Sequence, residues 1–220
     1  PTKGRTVANQ LLEHMLWYFV RQGSAPNIQV EDAGDIFELD SLLEEHMHAS
    51  AFLETIRIRD YAFDLTHIKF RASVNKKHQL ALCAANRLVK EESIQGKIPG
   101  LYGKISDESG EFTYTCYVSS GYLDERVRSE RTSFDIAENV EDILNEVSFK
   151  DIRDAVLART KEYLQDVLAE NVSAGRKRVD DFINSHAPRY RPIARYVAEE
   201  QLIVDPEKSD KDLELHLHAQ

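Results

Sequence analysis

Apolar residues first recur at helical spacing. Val7, Leu11, Leu12, Met15, Trp17, Phe19 and Val20 form a broad stripe, which predicts a helix over residues 4–22 with Gly23 as its stop. Trp17, Tyr18 and Phe19 stand in a row and read as core packing rather than as a ligand platform. Two short strand-like pieces follow, residues 28–31 and 36–39, around the turn Asp32-Ala33-Gly34-Asp35. Residues 41–48 suit a short helix capped by Asp40 or Ser41.

The next hundred residues switch to a period of two. Ile56 and Ile58 alternate with Arg57 and Arg59, and Ile68, Phe70 and Ala72 with His67, Lys69 and Arg71. Leu80, Leu82 and Ala84 alternate with Ala81, Cys83 and Ala85, so both faces are apolar and the strand should be central. Residues 102–106 and 112–118 flank Asp107-Glu108-Ser109-Gly110, a hairpin turn, with Phe112, Tyr114, Cys116 and Val118 on one face. From about residue 148 the period is helical again. Ile152, Val156, Tyr163 and Val167 set the stripe, Leu157, Leu164 and Leu168 widen it, and Gly175 marks a break. A second helix over about 176–186 stops before Pro188, a third short one fits 192–201, and the acidic tail from Asp205 is expected to fray.

This layout predicts an α+β region in three parts: a linking helix and covering segment (1–50), a β-rich unit (51–147) and a helical extension (148–220). Composition narrows its uses. The net charge of -10 argues against a general nucleic-acid binder, which needs a clustered positive field, but leaves room for a local basic patch. Cys83 and Cys116 sit far apart in apolar, strand-like text, which suggests buried reduced thiols and a cytoplasmic location. No apolar run approaches the ~20 residues needed to span a bilayer, so no membrane partner is expected. The chain begins at Pro1 without a signal-like segment and reads as a piece of something longer.

Candidate chemistry is sparse. There is no GxxxxGK[ST] and no GxGxxG, and Asp32-Ala33-Gly34-Asp35 lacks the second glycine of a DxGxG turn, so the chain by itself should hold no nucleotide. Glu44 and His48 would share a helical face, with His46 between them, but two or three ligands on one turn are not a metal site. Arg176, Lys177, Arg178 and Arg191, with Arg189 and Arg195, read first as a solvated basic face and second as a surface for a partner or nucleic acid. Arg126, Arg128 and Arg131 lie on a charged loop after a strand, where a guanidinium can make a bidentate contact with phosphate oxygens.

Three pieces, in order, resemble the middle domain of the ninety-kilodalton heat-shock chaperones. They are His78-Gln79-Leu80-Ala81-Leu82-Cys83-Ala84-Ala85-Asn86-Arg87-Leu88-Val89, Lys97-Ile98-Pro99-Gly100-Leu101 and Val127-Arg128-Ser129-Glu130-Arg131. The last two are similar to that family's "IPEYL" and "LNxSR" segments, with Arg128 where the family has asparagine. Asn86-Arg87-Leu88-Val89 is also similar to the "NGRxV" of MutL-type mismatch-repair proteins. Both belong to the GHKL ATPases, and the resemblance covers roughly residues 50–200. It implies a bacterial-type transducer with a ribosomal-protein-S-five-like β-α unit, a helix before it and a helical subdomain after it. It also implies a preceding nucleotide-binding domain of the same chain holding ATP and magnesium, and a homodimeric parent. The arginine that would reach the terminal phosphate falls on Arg131, with Arg128 as its rival. Two other readings stay open: a nucleic-acid- or protein-binding module without catalysis, and an independent enzyme with a metal at Glu44, His46 and His48.

Overall fold

The computed structural model describes residues 3–21, 27–47, 51–71, 77–103, 105–130, 132–139, 146–194, 196–198 and 202–219. Helix α1 (Lys3–Val20) is followed by a hairpin of β1 (Gln29–Asp32) and β2 (Asp35–Glu38), then by helix α2 (Leu39–His46). Six strands come next: β3 (Phe52–Ile58), β4 (Tyr61–Phe70), β5 (Gln79–Ala84), β6 (Arg87–Ser93), β7 (Ile105–Asp107) and β8 (Gly110–Ser119). Helix α3 (Gly121–Arg126) follows, then α4 (Phe149–Tyr163) and α5 (Gln165–Ser185). A single 3-10 turn at Pro188–Tyr190, helix α6 (Arg191–Ala194) and helix α7 (Asp210–His218) complete the described chain.

The fold is α+β around one mixed sheet of six strands. Strand order is β3-β4-β8-β5-β6, with β7 paired to the start of β8. Every neighbouring pair is antiparallel except β5 and β8, which run parallel. The period-two pattern sorts side chains to two faces. Phe112, Tyr114, Cys116 and Val118 of β8 join Phe63, Leu65, Leu80 and Leu82 on the first face, under Ile152 and Val156 of α4 and Leu168 of α5. Ile68, Phe70, Ala81, Cys83 and Tyr117 lie on the second face, under Ala8, Leu12, Leu16 and Trp17 of α1. Strand β5 feeds both cores, as expected of a central strand. A third, smaller core joins Val179, Phe182 and Ile183 of α5 to Tyr190, Val204 and to Leu213 and Leu217 of α7.

Several details depart from the sequence expectation, among them the third short helix, which spans only Arg191–Ala194 before a turn at 196–197. Gly175 does not break a helix: α5 runs through it from Gln165 to Ser185. A Cβ there would lie 2.1 Å from the Val204 carbonyl oxygen, so glycine is needed for close approach rather than for a stop. The acidic tail is not frayed, because Ser209 accepts from Asp212 N and caps α7, and Leu213 and Leu217 are buried. Helix α2 starts at Leu39, two residues early, with Glu38 as a cap that makes no side-chain bond. The charged stretch after β8 opens with helix α3, whose cap is Ser120.

Candidate functional site

The arginine loop hangs from α3. Ser120 accepts the Leu123 amide at 3.1 Å, and Tyr122 and Leu123 are buried against the sheet. The Tyr122 hydroxyl donates to the Val147 carbonyl at 2.7 Å, and the Arg126 guanidinium lies 3.9 Å from the Tyr122 ring centre. Beyond Arg126 the loop is closed at its base like a short hairpin. Val127 bridges Phe134, the Arg128 amide donates to Ser133 O at 3.0 Å, and the Asp135 amide donates to Arg126 O at 2.8 Å. Phe134 is buried, whereas Ser129, Glu130 and Thr132 at the tip are exposed. Arg128 is 58% exposed at its side chain and pairs with Asp135 at 3.7 Å. The Glu130 carboxyl ionises below its ordinary range, held by backbone and Ser129 hydrogen bonds and by the Arg128 charge. Arg131 lies outside the described residues.

The fold brings this loop's helix against a second piece of the resemblance. Ala85 and Asn86, which turn β5 into β6, both have positive φ (46° and 62°), an uncommon conformation for non-glycine residues. The Ala85 amide donates to Asp124 Oδ1 of α3 at 2.7 Å, and Arg21, just past α1, donates through Nη1 to Asn86 O at 3.2 Å. The third piece packs elsewhere. Ile98 and Leu101 are buried in the first core, and the Asn171 side chain of α5 donates to Gly100 O at 3.0 Å. Gly100 has φ +87°, and its Cα faces the Leu168 carbonyl so closely that a Cβ would sit 2.6 Å from that oxygen.

A cleft of about 530 Å³ opens between the turn, α3 and the part of the second face that α1 leaves uncovered. Its floor includes the register row Thr55, Asp64, Ser119 and Cys83, running across β3, β4, β8 and β5. Arg21 and Asp124 stand at its rim, and the Trp17 indole, stacked on Tyr117 at 5.2 Å, closes one wall. The Trp17 Nε1 and Arg21 Nε donors are buried without an acceptor among the described residues. On that floor the Thr55 hydroxyl donates to Asp64 Oδ1 at 2.7 Å, and polar lining, one cation and accessible carboxylates equip the cleft for binding. Burial raises the thiol pKa of Cys83 well above its ordinary range and that of Cys116 to about 12, so neither is a ready thiolate.

The most connected polar group is a buried chain on the first face. His67 is fully buried; its Nε2 donates to Glu54 Oε1 at 2.9 Å, and its Nδ1 accepts from the Tyr114 hydroxyl at 2.6 Å. That hydroxyl in turn accepts from Thr160 Oγ1 of α4 at 3.0 Å, and Arg159 Nε donates to Glu54 Oε2 at 2.9 Å. Burial, partly opposed by Glu54, holds the His67 pKa below its ordinary value. The Glu54 carboxyl is lowered chiefly by its bond to Arg159. The chain is complete within itself and latches α4 to the sheet.

The remaining sequence candidates separate. Arg178 is drawn into an ion pair with Asp210, and Arg189 into one with Glu214, while Arg176 and Lys177 are exposed on α5. Arg191 is exposed and donates to Asn184 O at 3.4 Å. Glu44 is exposed, His46 faces Asn9 Oδ1 at 3.3 Å, and His48 lies outside the described residues. Among the described residues no group of three His, Cys, Asp or Glu side chains is placed to hold a metal, and no helix is long and apolar enough to cross a membrane. Set against protein-family models, curated proteins and solved structures, the chain matches none.

Sequence reasoning missed Asp124, Arg21 and the His67 chain. Ser120 three residues before Leu123 is the one local signal that α3 begins there. The His67 partners lie 13 and 47 residues away in the chain, so no spacing rule finds them.

Proposed function

We propose that this chain is the middle, transducer-type region of a chaperone-like GHKL ATPase, with its sheet as the ribosomal-protein-S-five-like β-α unit. The observation that carries the reading is the arginine loop: clamped at its base by backbone bonds, exposed at its tip, and mounted on a helix tied to the Asn86 turn. A loop clamped at its base limits the entropic cost of bringing a side chain at its tip to a phosphoryl group, where charge stabilisation needs a positioned cation. Arg131 is the residue assigned to reach ATP and magnesium held by a preceding domain. Arg128 is the weaker candidate because Asp135 already engages it. Closure around the nucleotide would then be relayed through the sheet to a dimeric assembly. The binding-module alternative has less support, since Arg178 and Arg189 of its basic set are already neutralised by carboxylates.

The test is steady-state ATP hydrolysis by a chain that includes the nucleotide-binding domain. Arg131→Ala is expected to lower turnover toward the ~10³-fold loss seen when an arginine is withdrawn from phosphoryl transfer. Arg128→Ala should cost less, and the 220-residue chain alone should be silent. Unchanged turnover in Arg131→Ala would sink the reading.

A further inference from the structure

The geometry points to Asp124 as the positioning residue of the arginine loop, acting through the Ala85–Asn86 turn. This rests on the reading above for its consequence in catalysis, but not for the coupling itself. Helix α3 has only six residues, and its last one, Arg126, is also the start of the loop's base through the Asp135 amide bond. A helix this short cannot fix its own direction; side-chain ties must do so. Its cap, Ser120, and its buried Tyr122 and Leu123 hold one side. Asp124 holds the other, accepting the Ala85 amide at 2.7 Å across 39 residues of sequence.

The partner chosen is a strained one. Ala85 sits at φ 46°, where its Cβ is crowded and where glycine would be at ease. Its amide is therefore held in place by an external acceptor rather than by local preference. On the far side of the same turn Arg21 Nη1 grips the Asn86 carbonyl, and the Arg21 amide donates to Trp17 O at the end of α1. The result is one continuous run of contacts from α1 through Asn86, Ala85 and Asp124 to α3 and the loop. Asp124 makes no ion pair among the described residues, so its directional role is the bond to Ala85. Its exposed side chain keeps its share of global stability small, and that separates positioning from mere structural support.

Amide hydrogen exchange on the 220-residue chain reads the coupling directly. Asp124→Ala should speed exchange across residues 127–135 roughly tenfold, the scale of one lost charge-assisted hydrogen bond, with α4 and β8 unchanged. Asp124→Asn keeps an acceptor oxygen and should exchange like the wild type. Ala85→Gly added to Asp124→Ala should recover part of the protection, because glycine holds the turn without help. In a chain with its nucleotide domain, Asp124→Ala should lower kcat about tenfold or more while KM for ATP stays within about twofold. Unchanged loop exchange in Asp124→Ala, or an Asp124→Asn variant as loose as the alanine one, overturns the proposal. A loosened loop with full ATP turnover in both Asp124→Ala and Arg131→Ala upholds the positioning and refutes the transducer reading instead.

Discussion

The two faces of the sheet are finished in opposite ways. The first is closed: α4, α5 and the segment through Ile94, Ile98 and Leu101 cover it, and its buried polar groups are satisfied within it save Arg71 Nε, beside the Phe112 ring, which has no acceptor among the described residues. His78 illustrates this, with Nδ1 accepting the Tyr114 amide at 2.9 Å and Nε2 donating to Gly103 O. The second face is only partly roofed by α1. It leaves the 530 Å³ cleft, another of about 380 Å³ near Glu13 and His14, and two buried donors, Trp17 Nε1 and Arg21 Nε, without acceptors among the described residues. A closed face supplies stability, while an open one keeps side chains available for a ligand or a neighbouring domain. The Asn86 turn and α3 lie at the margin of the open face, whereas Val127 and Phe134 of the arginine loop pack on the core of the closed one.

The largest effects should come from matched truncations. Phe63 is fully buried on the closed face, and Phe63→Ala is expected to cost about 3–5 kcal/mol in urea unfolding, the usual range for emptying such a site. Leu53 lies on the open face and is 51% exposed, so Leu53→Ala should stay within about 1 kcal/mol. Comparable losses at the two sites would break the contrast.

Much of this division was visible in the sequence. The alternation of Phe112 to Val118 assigned one face of β8, and the doubly apolar text around Leu80 to Ala84 marked a strand between two cores. The change of period at about residue 148 placed the start of α4, where Ser148 and Asp151 form a reciprocal capping box that the sequence reading did not name. What stayed hidden is long-range. Gly175 has a local meaning, helix breaker, that the Val204 carbonyl overrides. Leu213 and Leu217 sit in acidic text, and their contact with α5, added to the Ser209 cap, turns a tail into a helix. The approach of Asp124 to Ala85 joins segments whose sequences give no hint of each other.

A second contrast is in pH. On the closed face burial holds His67 neutral, below its ordinary value of 6.5, and His78 is lowered in the same way. The unfolded chain takes up protons below about that pH while the folded one does not. Stability is therefore full above about 6.5 and is lost as pH falls toward the depressed folded values, by about 1.4 kcal/mol for each unit of depression at a site. Glu54 adds to the loss only lower down, below its ordinary value of 4.5. Urea unfolding at pH 7 and pH 5 should show the drop, and His67→Gln should flatten it although the variant is less stable at both. An unchanged slope in His67→Gln would place the titration elsewhere.

The smallest effect is the sharpest discriminator. Tyr114→Phe and Trp17→Phe each remove a buried donor, one from each face. The Tyr114 hydroxyl donates to His67 and accepts from Thr160, so its loss strands two partners and should cost about 1–3 kcal/mol. The Trp17 indole N–H has no acceptor among the described residues, so phenylalanine removes a desolvated donor as well as apolar area, and the two changes oppose each other. Phenylalanine also keeps a ring to stack on Tyr117. The net change for Trp17→Phe should therefore fall within about 1 kcal/mol of zero in the same urea assay. If it costs as much as Tyr114→Phe, the indole has an acceptor in solution, and an unpaired indole no longer distinguishes the open face from the closed one.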